Sequence, residues 1–201
     1  MIVKVCGLND AKNCLAIDKL KPDLVGMIFY KKSPRYIGET VLTKTKTKKV
    51  GVFVNATLGE ILSAVEKHKL SYVQLHGNEP IVLAKALQEN GIKIIKYFGI
   101  DNTIDNEKMT EWERYSTYFV FDTKGKQFGG IGAKFDWDLL NDYQLNTPFL
   151  LAGGITLEDV AAVKKINHPA FVGVDINSKF ELEPGIKNIE HVKQFIDAIK
   201  K

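Results

Sequence analysis

Cys6 and Asp122 are residues of unlike acidity in like places, each closing a short run of apolar, β-prone residues. Ile2-Val3-Lys4-Val5 leads to the thiol, and Tyr118-Phe119-Val120-Phe121 leads to the carboxyl. A thiol and a carboxyl brought to one place suit proton shuttling, one group giving a proton and the other taking one. His76 and Asp175 close two further runs of the same kind, and Arg35 follows another in Lys31-Lys32-Ser33-Pro34-Arg35-Tyr36. A guanidinium matches a carboxylate through two parallel hydrogen bonds. Gly153 and Gly154 expose backbone N–H groups without side-chain obstruction, while Asn177 and Ser178 add N–H and hydroxyl donors, together an expected phosphate cradle. Lys179, next in the chain, is a further positive charge for that anion. Singly, each residue has a plainer use: a buried thiol, a turn carboxyl, a loop histidine, a surface arginine. Their convergence is what argues for a site, and convergence depends on the elements that carry them.

Eight β-prone runs recur along the chain. They are Ile2–Cys6, Leu24–Phe29, Val50–Val54, Tyr72–His76, Lys93–Phe98, Tyr118–Phe121, Phe149–Ala152 and Phe171–Asp175. They are almost continuously apolar, as expected for parallel strands covered on both faces. Between them lie helical patterns. Leu58, Ile61, Leu62 and Val65 keep helical spacing behind a Thr57/Glu60 capping box. Pro80 opens the next helix, with Leu83, Ala84 and Leu87 as its buried stripe. Thr156 and Asp159 form another cap, and the last helix buries Ile189, Val192, Ile196 and Ile199. Helices are also expected over residues 10–20, 39–46, 104–115 and 136–142, the last capped by Asp136. Eight strand–helix units predict a single α/β domain over residues 1–201, a closed (β/α)8 or TIM barrel. No glycine fingerprint follows the first strand, which argues against an open dinucleotide-binding sheet. In a barrel, the carboxyl ends of all strands open into one mouth, so Cys6, His76, Asp122, Gly153, Gly154, Asp175, Asn177 and Ser178 meet there. The glycines of Gly129-Gly130-Ile131-Gly132 then belong to a long loop facing Asp122.

Composition narrows the rest. The chain has 201 residues, 45% of them hydrophobic and 26% charged, with a net charge of +4, which suits an anionic small molecule. Its most basic stretch, Lys44–Lys49, carries no interleaved aromatic residues, so nucleic acid is not the expected partner. Two cysteines make no disulfide framework and fit a reducing compartment. With no long apolar run to span a membrane, the expected location is the cytoplasm. Neither a Cys/His metal-ligand spacing nor a G-x-S-x-G nucleophile elbow occurs, so neither a metal nor a serine nucleophile is expected.

From first strand to last helix, the chain resembles the phosphoribosylanthranilate isomerase family. The resemblance is carried by Lys4-Val5-Cys6-Gly7, Ser33-Pro34-Arg35-Tyr36-Ile37, Val50-Gly51-Val52-Phe53-Val54-Asn55 and Val73-Gln74-Leu75-His76-Gly77. It continues in Phe121-Asp122-Thr123, Gly129-Gly130-Ile131-Gly132, Phe135-Asp136-Trp137 and Leu151-Ala152-Gly153-Gly154. It implies an Amadori rearrangement of N-(5-phosphoribosyl)anthranilate in tryptophan biosynthesis, on a phosphosugar substrate and without cofactor or metal. It implies Cys6 as general base, Asp122 as general acid, Arg35 as the grip on the anthranilate carboxylate, and His76 and Asp175 lining the site. Two places depart from the family pattern. Ile131 stands where threonine is common, and Ile176-Asn177-Ser178-Lys179 stands where Val-Ser-Ser-Gly is usual. A monomer or a homodimer is equally compatible with the sequence. Two other readings stay open: another phosphosugar barrel such as indoleglycerol phosphate synthase, which would want a lysine–glutamate pair inside the barrel where the sequence offers no convincing one, and a silent barrel that only binds a phosphorylated ligand.

Overall fold

The computed structural model describes residues 1–41, 45–125 and 134–201. Eight parallel strands close into a barrel in sequence order: β1 (Ile2–Val5), β2 (Leu24–Ile28), β3 (Lys48–Phe53), β4 (Tyr72–Leu75), β5 (Ile94–Ile100), β6 (Ser116–Thr123), β7 (Phe149–Leu151) and β8 (Phe171–Ile176), with β8 pairing back onto β1. This is the (β/α)8 architecture expected from the sequence. The β1/β8 register sets Lys4 opposite Asp175.

Strand alternation sorts the side chains into two apolar layers. Val3, Val5, Val25, Met27, Phe119, Phe121, Phe149 and Leu151 point outward under the helices. Leu24, Val50, Val52, Tyr72, Ile95, Val120 and Leu150 fill the inside, with Cys6 and Ala152 above them at the carboxyl ends. The period of two therefore also turns Lys4 and Asp122 inward.

The outer helices are α1 (Ala11–Asp18), α2 (Leu58–His68), α3 (Ile81–Glu89), α4 (Asn106–Glu113), α5 (Val160–Lys165) and α6 (Ile189–Lys200). The Thr57/Glu60 capping box forms as expected, and such a cap is worth about 1 kcal/mol. Pro80 sits one residue before α3 rather than inside it. Thr156 and Asp159 make the second capping box, ahead of a 3-10 turn, Leu157–Asp159, that runs into α5.

Three expectations change. The helix expected over 39–46 is not formed by the described residues 39–41 and 45–46, and residues 42–44 lie outside those described. The helix over 136–142 is a 3-10 helix, Trp137–Asp142, with Asp136 accepting a hydrogen bond from the Asp138 N–H. After β8 the chain makes a short 3-10 turn, Ser178–Phe180, then a small antiparallel hairpin, β9 (Glu181–Glu183) and β10 (Ile186–Lys187), before α6. The hairpin was not expected because its strands are too short for an alternation to register. Among the described residues no helix is long and apolar enough to cross a membrane.

Candidate active site

A cavity opens at the carboxyl ends of the strands, lined among others by Cys6, Arg35, His76, Asp122, Gly153 and Asp175. Gly154, Asn177, Ser178 and Lys179 share it, so the described residues expected at the mouth do meet there. The loop Gly129–Gly132 lies outside the described residues.

Asp122 is 8% exposed and receives the Thr123 N–H on Oδ1 at 2.7 Å. Burial is the main reason its carboxyl is pushed up to about 7; the Thr123 N–H and Lys4 oppose that rise and Asp175 adds to it. Gly153 faces it with φ +91°, and a β-carbon there would lie 2.8 Å from Asp122 Oδ1. Glycine at 153 thus serves both the left-handed turn and the space the acid occupies.

Cys6 sits across the mouth, 5% exposed. Burial is the largest effect and leaves its thiol above the ordinary value; Lys4 and Lys187 act against that rise and Asp175 adds to it. Gly26 on the neighbouring strand makes room, since a β-carbon there would be 2.6 Å from the sulfur.

Asp175 forms an ion pair with Lys4 inside the barrel, Nζ to Oδ2 at 2.5 Å. Lys4 is completely buried. Burial works to lower its pKa, but Asp175 and Cys6 outweigh it and the ammonium is held above its ordinary value. The sequence offered no convincing lysine–glutamate pair inside the barrel; the structure puts a lysine–aspartate pair there. The signal was available, because Lys4 lies two residues before Cys6 and a strand turns both to one face.

His76 stacks on Tyr97, ring centroids 3.8 Å apart, and its Nδ1 meets the Gln74 amide nitrogen at 3.0 Å. With the amide donating, the neutral ring carries its proton on Nε2. Burial first, then Lys4 and Lys96, push its pKa down to about 3, so it is neutral at pH 7. Lys96 itself belongs to the outer layer. It pairs with Glu79 at 2.8 Å, donates to the Gly77 carbonyl and lies over the Trp112 ring, which pins the turn that follows His76.

Arg35 reaches the mouth from the segment after β2 and is gripped by Glu181 of β9. Glu181 also accepts from Lys187 Nζ at 2.7 Å and from the Gly185 N–H at 3.1 Å. Burial acts to raise the Glu181 carboxyl, but Arg35, Lys187 and Gly185 hold it below its usual range. Lys187, fully buried, also binds Asn177 at both its side-chain and main-chain oxygens. Lys4, Lys187, Glu181 and Gly26 were all missed by the sequence reading. For Glu181 and Lys187 no sequence signal was available, because they act through an unforeseen hairpin.

Among the described residues, no three or more His, Cys, Asp or Glu side chains gather as a metal site. The arrangement can move protons, with a near-neutral acid and a thiol at one mouth, cationic side chains close by and backbone donors on the far rim.

Comparison with known proteins agrees with this geometry. A family model described as N-(5'phosphoribosyl)anthranilate (PRA) isomerase matches residues 3–198. The chain belongs to that family. A curated N-(5'-phosphoribosyl)anthranilate isomerase from Parabacteroides distasonis is 42% identical over 206 residues, covering 99% of this chain and 93% of the relative. The crystal structure of the Thermotoga maritima phosphoribosyl anthranilate isomerase has a TM-score of 0.83 at 32% identity, covering 100% of this chain and 99% of that one. A second structure, of such an isomerase in complex with reduced 1-(o-carboxyphenylamino)-1-deoxyribulose 5-phosphate, has a TM-score of 0.76 at 30% identity, covering 100% of this chain and 99% of that one. As a member of the phosphoribosylanthranilate isomerase family, the chain is an isomerase of tryptophan biosynthesis that acts on a phosphoribosyl substrate.

Proposed function

We propose that this chain converts N-(5-phosphoribosyl)anthranilate to 1-(o-carboxyphenylamino)-1-deoxyribulose 5-phosphate, with Asp122 as general acid and Cys6 as general base. The observation that carries the reading is the buried Asp122 carboxyl, raised to about 7, sharing one cavity with the Cys6 thiol. An acid works best when its pKa lies near the operating pH.

Asp122 gives its proton to the ribose ring oxygen as the bond from that oxygen to C1′ breaks. The anthranilate nitrogen supplies the electron pair, leaving an open-chain iminium. Cys6, as thiolate, takes the proton from C2′ and its electrons neutralise the iminium, giving an enolamine. Ketonisation then returns a proton to C1′ and removes one from O2′. One proton enters from Asp122 and one leaves to Cys6, so the change is a net isomerisation and requires no cofactor.

Arg35 holds the anthranilate carboxylate with its terminal edge, Nη1 and Nη2, because Glu181 occupies the other edge. His76 and Asp175 line the ribose. The phosphate is held on backbone N–H groups of Gly153, Gly154, Asn177 and Ser178. Support for that assignment comes from the cavity, which Gly153, Gly154, Asn177 and Ser178 all line, and from Lys187, which holds the Asn177 side-chain oxygen. Lys179 adds charge at the rim. Loss of anthranilate fluorescence on adding substrate tests the activity; no turnover by the folded protein would overturn it.

A further inference from the structure

The Lys4–Asp175 ion pair takes part in no step of the reaction above, yet it lies between the groups that move protons. Lys4 on β1 faces inward like Cys6 just past the strand's end; its ammonium pairs with Asp175, and its charge acts on the thiol. Around the barrel the strands run β6, β7, β8, β1. Asp122 is on β6, Asp175 on β8, Lys4 on β1 and Cys6 just past its end. The aspartate end of the pair therefore lies on the Asp122 side and the lysine end on the Cys6 side. Both residues are buried, at 8% and 0% exposure, where water screens their fields weakly.

The two ends act unequally on their neighbours. At Cys6 the lowering effect of Lys4 exceeds the raising effect of Asp175. At Asp122 the order reverses, and the raising effect of Asp175 exceeds the lowering effect of Lys4. Among the described residues, the charged and titratable groups facing Cys6 are Lys4 on β1, Asp175 on β8 and Lys187 on β10, while β2 presents Gly26. Those facing Asp122, among the described residues, are Asp175, Lys4 and the Tyr97 phenol on β5, while β7 leads to Gly153.

We propose that the Lys4–Asp175 pair is an oriented dipole that apportions protons in the site, biasing a proton toward Asp122 and away from Cys6. A protonated acid with a thiolate holds the same number of protons as a carboxylate with a thiol. The pair therefore changes where the proton sits without changing how many there are. The first arrangement is the one the reaction consumes, and neither Lys4 nor Asp175 needs to exchange a proton to favour it. Both are positioning residues in this role, which rests on the acid–base assignment above.

The test reads protonation rather than turnover. In a Cys14→Ser background, which removes the other buried thiol, the pH dependence of Cys6 alkylation by iodoacetamide gives the thiol pKa. Carboxyl-carbon NMR gives that of Asp122. Lys4→Met is expected to slow alkylation at pH 7.5 by about tenfold or more, one pKa unit being a factor of ten. Lys4→Arg, which keeps the charge, is expected to stay near the parent rate. Asp175→Asn is expected to speed alkylation and to move Asp122 down from about 7 toward the ordinary carboxyl range.

Removing one partner strands a buried charge, so the Lys4→Met/Asp175→Asn double variant, which removes both, covers the case in which a single variant does not fold. Its expected signature is opposite shifts, Cys6 upward and Asp122 downward. A merely structural pair would move neither. A folded variant with both groups titrating as in the parent, or both shifting the same way, overturns the proposal. Full turnover in Cys6→Ala would instead overturn the acid–base assignment and leave the titrations standing.

Discussion

Glu181 grips Arg35 along one edge of its guanidinium. Nε lies 2.9 and 3.0 Å from the two carboxylate oxygens, and Nη2 lies 2.7 Å from Oε2. The arginine is thus aimed and partly neutralised before any substrate arrives. Its segment after β2 is tied to the hairpin after β8, and through Lys187 to Asn177 on the rim of the cavity.

Arg35→Lys is therefore expected to raise KM for substrate about tenfold or more, with a smaller effect on kcat. An ammonium cannot serve Glu181 and a substrate carboxylate as two flat edges of one group. Steady-state kinetics decide; an unchanged KM would mean that another group holds the carboxylate.

Glu181→Ala should destabilise the fold by roughly 3 kcal/mol, because it leaves Lys187 buried without its carboxylate partner. Urea denaturation measures this. A loss below about 1 kcal/mol, the scale of an exposed pair, would show the network to be loosely held.

Asp122→Asn keeps the shape of the side chain and removes proton donation. Turnover is expected to fall by more than about a hundredfold. Stability should move the other way with pH. The folded-state pKa of about 7 lies above the ordinary 3.8, so the folded protein holds this proton more tightly than the unfolded chain. The stability this contributes is fully present below pH 3.8 and is lost as pH rises toward 7. Relative to the parent, the asparagine variant should gain stability from pH 4 to 8, by at most about 4 kcal/mol. Melting curves at the two pH values check the sign.

Cys6→Ala is expected to abolish turnover while substrate binding survives, since in the proposed reaction the thiol acts on a proton and anchors nothing. Near-parent turnover would remove Cys6 from the mechanism.

On the proposed phosphate rim, Gly154→Val should weaken substrate binding far more than Ser178→Ala. Gly154 has φ +61°, which a branched residue resists, and its backbone lines the cavity. Lys179→Ala should lower affinity and flatten its dependence on salt, because it removes a charge from the rim. Binding measured at two ionic strengths separates these contributions.

The eight strands were legible because each is a compact apolar run, and burial on both faces leaves few residues that could stand elsewhere. The capping boxes at Thr57 and Thr156 were legible because capping is a local matter of a few residues. Once the strands closed into a barrel, Cys6, Asp122, His76 and Asp175 had to share a mouth, since all parallel strands end on the same side. The charges that tune those groups were decided only by tertiary structure. Lys4 meets Asp175 across 171 positions of sequence, and Arg35 meets Glu181 across 146. Such partners leave no local trace, because a lysine in a strand or a glutamate in a hairpin takes its role from what the closed barrel sets against it. The raised Asp122 carboxyl is of the same origin: the residue type supplies the acid, and burial beside Asp175 makes it a near-neutral one.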